Sequence, residues 1–187
     1  MKAFQRATGL CLSLFCFSSI VFADQMVKGS VEKNVDGDTI WVQSTEWSGN
    51  GPRERLKIRM VGIDAPESHL PTSEGVVSQG EFGELAAEAM MSLAPVGTKV
   101  TVQDKGLDKY SRTLGRVLIQ KKDINLEMVR VGWAIPYIIC EGPACDENFL
   151  ETENAPTYFK TCESARQKGL GIFDPKTHLR KCLLNFV

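Results

Sequence analysis

The stretch Arg59-Met60-Val61-Gly62-Ile63-Asp64-Ala65-Pro66-Glu67 decides how the chain is read, because an apolar strand pattern ends there in two carboxylates held apart by a proline. Leu56, Ile58, Met60 and Gly62 alternate with Lys57, Arg59 and Val61, so Arg59 is expected on the side away from the large apolar residues. Pro66 lacks an amide hydrogen and biases Ala65 toward extended geometry, so the strand stops and Asp64 and Glu67 sit on a bent, stiff segment. Two like charges at a rigid strand end repel each other unless a cation, an arginine or solvent offsets them. Taken alone, such a segment reads equally well as a solvated turn.

Upstream, residues 27–35 alternate Val27, Gly29 and Val31 with Lys28, Ser30 and Glu32, the pattern of a strand with one wet face. Asp36-Gly37-Asp38 makes a tight turn into a second strand over 39–43, which gives a β-hairpin; Asp36 reads as a turn residue. Residues 44–54 form a polar loop before the third strand. Downstream, residues 68–77 show no periodicity and read as a loop bordering the carboxylates. Ser78-Gln79-Gly80-Glu81 is a capping box opening a helix with Phe82, Leu85, Ala86, Ala89, Met90 and Leu93 on one face, ended by Pro95 and Gly97. Strands are expected over 98–103 and 115–120, joined by Asp108-Lys109-Tyr110-Ser111-Arg112. A short helix over 125–131 and a longer one over 156–168 follow, closed by Gly132 and by Gly169 and Gly171. Five strands with three helices make a small α+β domain on a closed or nearly closed sheet.

Lys2 and Arg6 precede an apolar run over 10–22 that has no Asp or Glu, so residues 1–23 are expected to be a signal peptide cleaved after Ala23. The run is short for a membrane span of ~20 residues. Residues 24–187 would then be a single domain, exported to a periplasm or secreted, monomeric and without a membrane anchor. Its 20 basic and 23 acidic residues leave a net charge of −3, so contact with a polyanion must be local rather than spread over the surface. Cys140, Cys145, Cys162 and Cys182 all lie in the last third and form a cysteine-containing C-terminal extension. An even count behind an export signal points to two disulfides, and pairing Cys140 with Cys145 and Cys162 with Cys182 closes the two local loops. A four-cysteine zinc site is disfavoured by the absence of a C-x-x-C spacing.

Asp38 lies on a different strand from Asp64 and Glu67. If the sheet brings Asp38 to either of them, the result is an oxygen-only cage that selects a hard cation, calcium or magnesium, over zinc or copper. The two histidines, His69 and His178, give little support for a histidine-based nuclease. Arg59 and Arg112 are natural phosphate ligands, since a guanidinium fork can make two parallel hydrogen bonds to phosphate oxygens. Metal, arginines and a spare carboxylate together suit phosphodiester hydrolysis. Trp41 and Trp133 read as packing residues, and Tyr110 reads as a nucleotide contact or a core tyrosine.

Val35-Asp36-Gly37-Asp38-Thr39, Arg59 with Asp64-Ala65-Pro66-Glu67, and Asp108-Lys109-Tyr110-Ser111-Arg112, in this order with a helix between the last two, resemble the staphylococcal nuclease (thermonuclease) family. The resemblance runs over about residues 27–173. It implies a five-stranded OB-fold β-barrel with three α-helices, and a calcium-dependent endonuclease acting on DNA and RNA and leaving 3′-phosphates; magnesium is the less favoured metal. Asp38, Asp64 and the Ala65 carbonyl would hold the metal, Glu67 would be the general base, Arg59 would hold the scissile phosphate, and Arg112 would stabilise the transition state. Tyr110 and Tyr137 would contact the nucleotide. Ala65 stands where the founding member has threonine, the loop over 44–54 is longer, and the founding member lacks the four cysteines.

Overall fold

Alternation of β-branched and polar residues produces the strands that carry the site, and turns rich in Asp and Gly separate them. The computed structural model describes residues 25–45, 54–68, 70–72, 75–77, 80–137 and 154–176. The expected leader, most of the loop over 44–54, and Cys140, Cys145 and Cys182 lie outside the described residues.

In chain order the strands and helices are β1 (Gln25–Asn34), β2 (Thr39–Ser44), β3 (Arg55–Met60), β4 (Ile63–Asp64), β5 (Leu70–Thr72), β6 (Gly75–Val77), α1 (Glu81–Leu93), β7 (Lys99–Leu107), β8 (Thr113–Ile119), β9 (Lys122–Asp123), α2 (Ile124–Arg130), β10 (Ile135–Pro136) and α3 (Ala155–Gln167). The sheet runs β3-β2-β1-β7-β8 with antiparallel neighbours, and a parallel pairing of β3 with β8 closes it into a five-stranded barrel. Val31, Ile40, Val42, Ile58, Met60, Val102 and Val117 fill the interior and are almost fully buried. The α+β barrel with three helices anticipated from the strand and helix count is therefore the observed architecture.

Four local expectations need correction. Residues 70–77 contain a short antiparallel hairpin, pairing Leu70 with Val77 and Thr72 with Gly75, where a loop was expected. Each strand is only three residues long, too short to show a period. Helix α1 begins at Glu81 after Gly80, whose φ of 64° favours a residue without Cβ, and no side chain among the described residues caps it; Ser78 and Gln79 of the expected capping box lie outside them. Glu81 and Glu84 in its first turn complement the helix dipole instead. Helix α2 starts at Ile124, earlier than expected, because Asp123 is its N-cap and accepts a hydrogen bond from the Leu126 N–H at 3.1 Å. Finally, β4 and β10 pair over two residues each, a contact without sequence periodicity.

One buried amide ties these parts to the acidic strand end. Asn125 on α2 donates from Nδ2 to the carbonyls of Val61 at 2.9 Å and Gly115 at 3.3 Å, and its Oδ1 accepts from the Val117 N–H at 3.0 Å. The turn between Arg59 and Asp64 is thereby fixed to β8 and to a helix. Trp133 packs against the core, as expected of it.

Candidate active site

The hairpin turn between β1 and β2 folds onto itself. Asp36 Oδ1 accepts from the Asp38 N–H at 3.0 Å, and Thr39 Oγ1 donates to Asp38 Oδ1 at 3.1 Å. Asp38 Oδ2 accepts from the Ala65 N–H at 3.0 Å and forms an ion pair with Arg59, so a single carboxylate joins the turn to β3 and to the strand end. Two glycines let these segments approach. A Cβ on Gly37 would lie 2.6 Å from the Ala65 Cβ and 2.9 Å from the Ala86 Cβ, and a Cβ on Gly83 would lie 2.2 Å from the Glu67 carbonyl oxygen. Helix α1 thus presses its small-residue face on the turn and on the Glu67 backbone together.

The result is a cluster of three carboxylates, Asp36, Asp38 and Glu67, whose oxygens come within 4.8 Å of one another. Asp36, read from sequence as a turn residue, is both that and a member of the cluster. Asp64 is placed differently: its half-exposed carboxylate accepts from Arg59 Nη2 at 3.0 Å and lies outside the three-carboxylate group. Arg59 points away from the barrel interior, as the alternation requires, yet is buried beneath these acids.

Electrostatics follow from the crowding. Burial, then the charges of Asp38 and Glu67, push the Asp36 carboxyl up to about 8, against a hydrogen bond from the Asp38 amide. Burial and Asp38 raise Asp64, with Arg59 opposing. Burial and Asp38 also raise Glu67, with Arg59 and Arg112 opposing. For Arg59 burial works downward, but Asp38, Asp64 and Asp36 outweigh it and hold the guanidinium above its ordinary value.

Arg112 comes from the connection between β7 and β8, and its charge reaches Glu67. Asp108 shapes that connection: Oδ1 accepts from the N–H groups of Tyr110 at 2.9 Å and Arg112 at 2.8 Å, and Oδ2 accepts from Arg112 Nε at 2.6 Å. Although burial acts against it, these bonds hold the Asp108 carboxyl below its ordinary value. The sequence motif contained Asp108, but nothing in its spacing singled it out as the residue that aims Arg112. Tyr110 is 68% exposed, which excludes the core-tyrosine reading; its ring centroid is 5.4 Å from the Arg112 guanidinium carbon. Tyr137 follows β10, and its N–H donates to the Gly62 carbonyl at 3.0 Å, beside the strand that carries Asp64.

The donor set is all oxygen and carries more negative charge than Arg59 neutralises. Burial and the neighbouring carboxylates raise the Asp36 carboxyl, and a hard divalent cation would meet the charge demand that crowding creates. The residues present therefore fit such an ion.

A closed five-stranded barrel with three helices, and with acids and arginines gathered near its strand ends, places the chain in the OB-fold class. The family described as staphylococcal nuclease homologue matches residues 57–174, and the chain belongs to that family. It is 31% identical over 166 residues to an uncharacterized endonuclease of Haemophilus influenzae, covering 88% of this chain and 77% of that protein. It is also 31% identical over 160 residues to the micrococcal nuclease of Shigella flexneri, covering 79% and 75%. Endonuclease YhcR of Bacillus subtilis is 35% identical over 121 residues, 63% of this chain but only 9% of that much longer protein.

Proposed function

We propose that the chain is an exported, monomeric, calcium-dependent endonuclease that hydrolyses phosphodiester bonds in DNA and RNA and leaves 3′-phosphates. The observation that carries this reading is the convergence of Asp36, Asp38 and Glu67 with Arg59, while the Arg112 charge reaches Glu67. Asp38, Asp64 and the Ala65 carbonyl would hold calcium, with Asp36 as a further carboxylate. When bound, the ion supplies positive charge to phosphoryl oxygens and acidifies water. Glu67, raised above the ordinary glutamate value, takes the proton of the attacking water. Arg59, held rigid by Asp38 and Asp64, presents a preorganised fork to the scissile phosphate. Arg112, aimed by Asp108, stabilises the charge that builds toward the leaving oxygen. Tyr110 and Tyr137 flank the nucleotide.

The test uses the full chain from residue 24 with single-stranded DNA, plasmid and RNA, each with calcium, with magnesium and with EGTA. Cleavage in calcium that EGTA abolishes and excess calcium restores is the expected result. No cleavage of any substrate in calcium would overturn the proposal. Export is supported by the basic and apolar character of residues 1–23, and N-terminal sequencing of the exported protein should begin at Asp24. Among the described residues Cys162, half-buried on α3, is a free cysteine, and its proposed partner Cys182 lies outside them. Two disulfides, Cys140–Cys145 and Cys162–Cys182, remain the proposed pairing.

The carboxylate cluster also sets a pH dependence. Asp36 binds its proton more tightly folded than unfolded, so the stability it contributes is full below about pH 4 and is lost as pH rises toward about 8. In EGTA, urea melts should therefore give a falling unfolding free energy between pH 5 and pH 8. Added calcium should flatten that slope.

A further inference from the structure

The outer face of β1, β2 and β3 carries a row of cations around an aromatic ring that the hydrolytic site does not use. Lys33, Trp41 and Lys57 stand directly opposite one another across the three strands, and Gln43 is opposite Arg55 in the next position. The Arg55 guanidinium carbon lies 4.2 Å from the Trp41 ring centroid and Lys57 Nζ lies 6.0 Å from it. Glu32 accepts from Arg55 Nε at 2.6 Å and holds the guanidinium in place. Lys33 and Lys57 have no ion pair among the described residues.

This row is continuous with the acidic site. Along β3 the same face presents Arg55, Lys57 and Arg59, and along β2 it presents Gln43, Trp41 and Thr39, with Thr39 opposite Arg59. Thr39 Oγ1 donates to Asp38. Residues two apart on a strand repeat every ~7 Å, so the cations form a line of about 14 Å leading away from Arg59. Backbone phosphates bind such a line, and bases stack on a tryptophan or on a guanidinium plane. Since the whole chain has a formal net charge of −1, a local strip of this kind is what a polyanion needs to stay bound. Duplex bases are already stacked in their helix and cannot use the Trp41–Arg55 platform.

We propose that Lys33, Trp41, Arg55 and Lys57 form a track that binds a single-stranded polynucleotide beyond the cleaved bond, with phosphates on the lysines and a base on the Trp41–Arg55 pair. This deepens the nuclease reading and rests on it for the direction of the strand. A purely structural cross-strand cluster would stabilise the sheet and leave binding unchanged, so the test reads binding.

In a Glu67→Gln background, so that bound strand is retained, affinities for a long oligodeoxythymidine and for a thymidine dinucleotide are measured by fluorescence anisotropy across a salt series. Trp41→Ala should weaken the long strand about tenfold and the dinucleotide much less. Lys33→Gln with Lys57→Gln should lower the slope of log affinity against log salt by about 1.4, for two phosphate contacts on a single strand. A duplex of the same length should compete at least about tenfold less well. Unchanged affinity and salt slope in variants whose far-ultraviolet circular dichroism is native would overturn the track, as would tighter binding of duplex. The lysine variants keep the test decisive if Trp41→Ala fails to fold. Lack of cleavage by the unsubstituted chain would remove the nuclease reading instead, because these binding measurements do not depend on turnover.

Discussion

Glu67→Gln is expected to lower kcat about 10²–10⁴-fold, the usual loss on removing a general base, with little change in polynucleotide affinity. The carboxylate sits within 4.8 Å of Asp36 and Asp38, and its position is set by backbone, since α1 packs through Gly83 on the Glu67 carbonyl. Glutamine keeps the size and that seat, so the change isolates the proton acceptor. Burial and the Asp38 charge make Glu67 a stronger base than a solvated glutamate, and the amide cannot replace that. Single-turnover rates across pH check the assignment: the acid limb of the wild-type profile should disappear in the variant. An undiminished rate would move the base elsewhere, first to Asp36.

Asp38→Ala should reduce calcium-dependent cleavage about 10³-fold or more, as expected when a central charge-stabilising group is lost. Its effect on stability is a contest between two terms. Breaking a buried ion pair costs ~3–5 kcal/mol when the remaining charge is left unpaired. Here Arg59 keeps Asp64 at 3.0 Å, and loss of Asp38 relieves the repulsion that raises Asp36, Asp64 and Glu67. A net destabilisation below ~3 kcal/mol is therefore expected. The fall in stability between pH 5 and pH 8 should shrink along with it. Calorimetric calcium titration and urea melts separate the two effects, and calcium-dependent cleavage surviving in Asp38→Ala would place the ion elsewhere.

The parts of the fold and site that were legible are those encoded by neighbours in the chain. Alternation in residues 27–31 and 56–60 showed strands, and Pro95 and Gly97 showed the end of α1; the single strand expected to run on to Pro66 is instead broken at Val61-Gly62, where Gly62 has a φ of 75°, into β3 and the separately paired β4. Arg59 was correctly turned away from the barrel interior, because a period of two fixes the side of each residue. Asp36 was underrated for the same reason: its hairpin position explains it fully until Glu67 is brought beside it from another segment. Asp108 and Trp41 were likewise described by their immediate neighbours and not by what they meet in space.

By itself, the sequence determined the α+β barrel, the resemblance to a nuclease family, and a set of candidate residues for metal and phosphate, since periodicity, turn chemistry and side-chain type are local properties. Only the tertiary structure decided how those residues pair. Closure of β3 on β8 and the close seats at Gly37 and Gly83 bring Asp36, Asp38 and Glu67 together, while Asp64 turns to Arg59. Cross-strand register, invisible in any single strand, sets Lys33, Trp41 and Lys57 in one row. The reason is physical: carboxylate repulsion, burial and phosphate spacing depend on through-space distances between distant segments, which chain spacing does not specify.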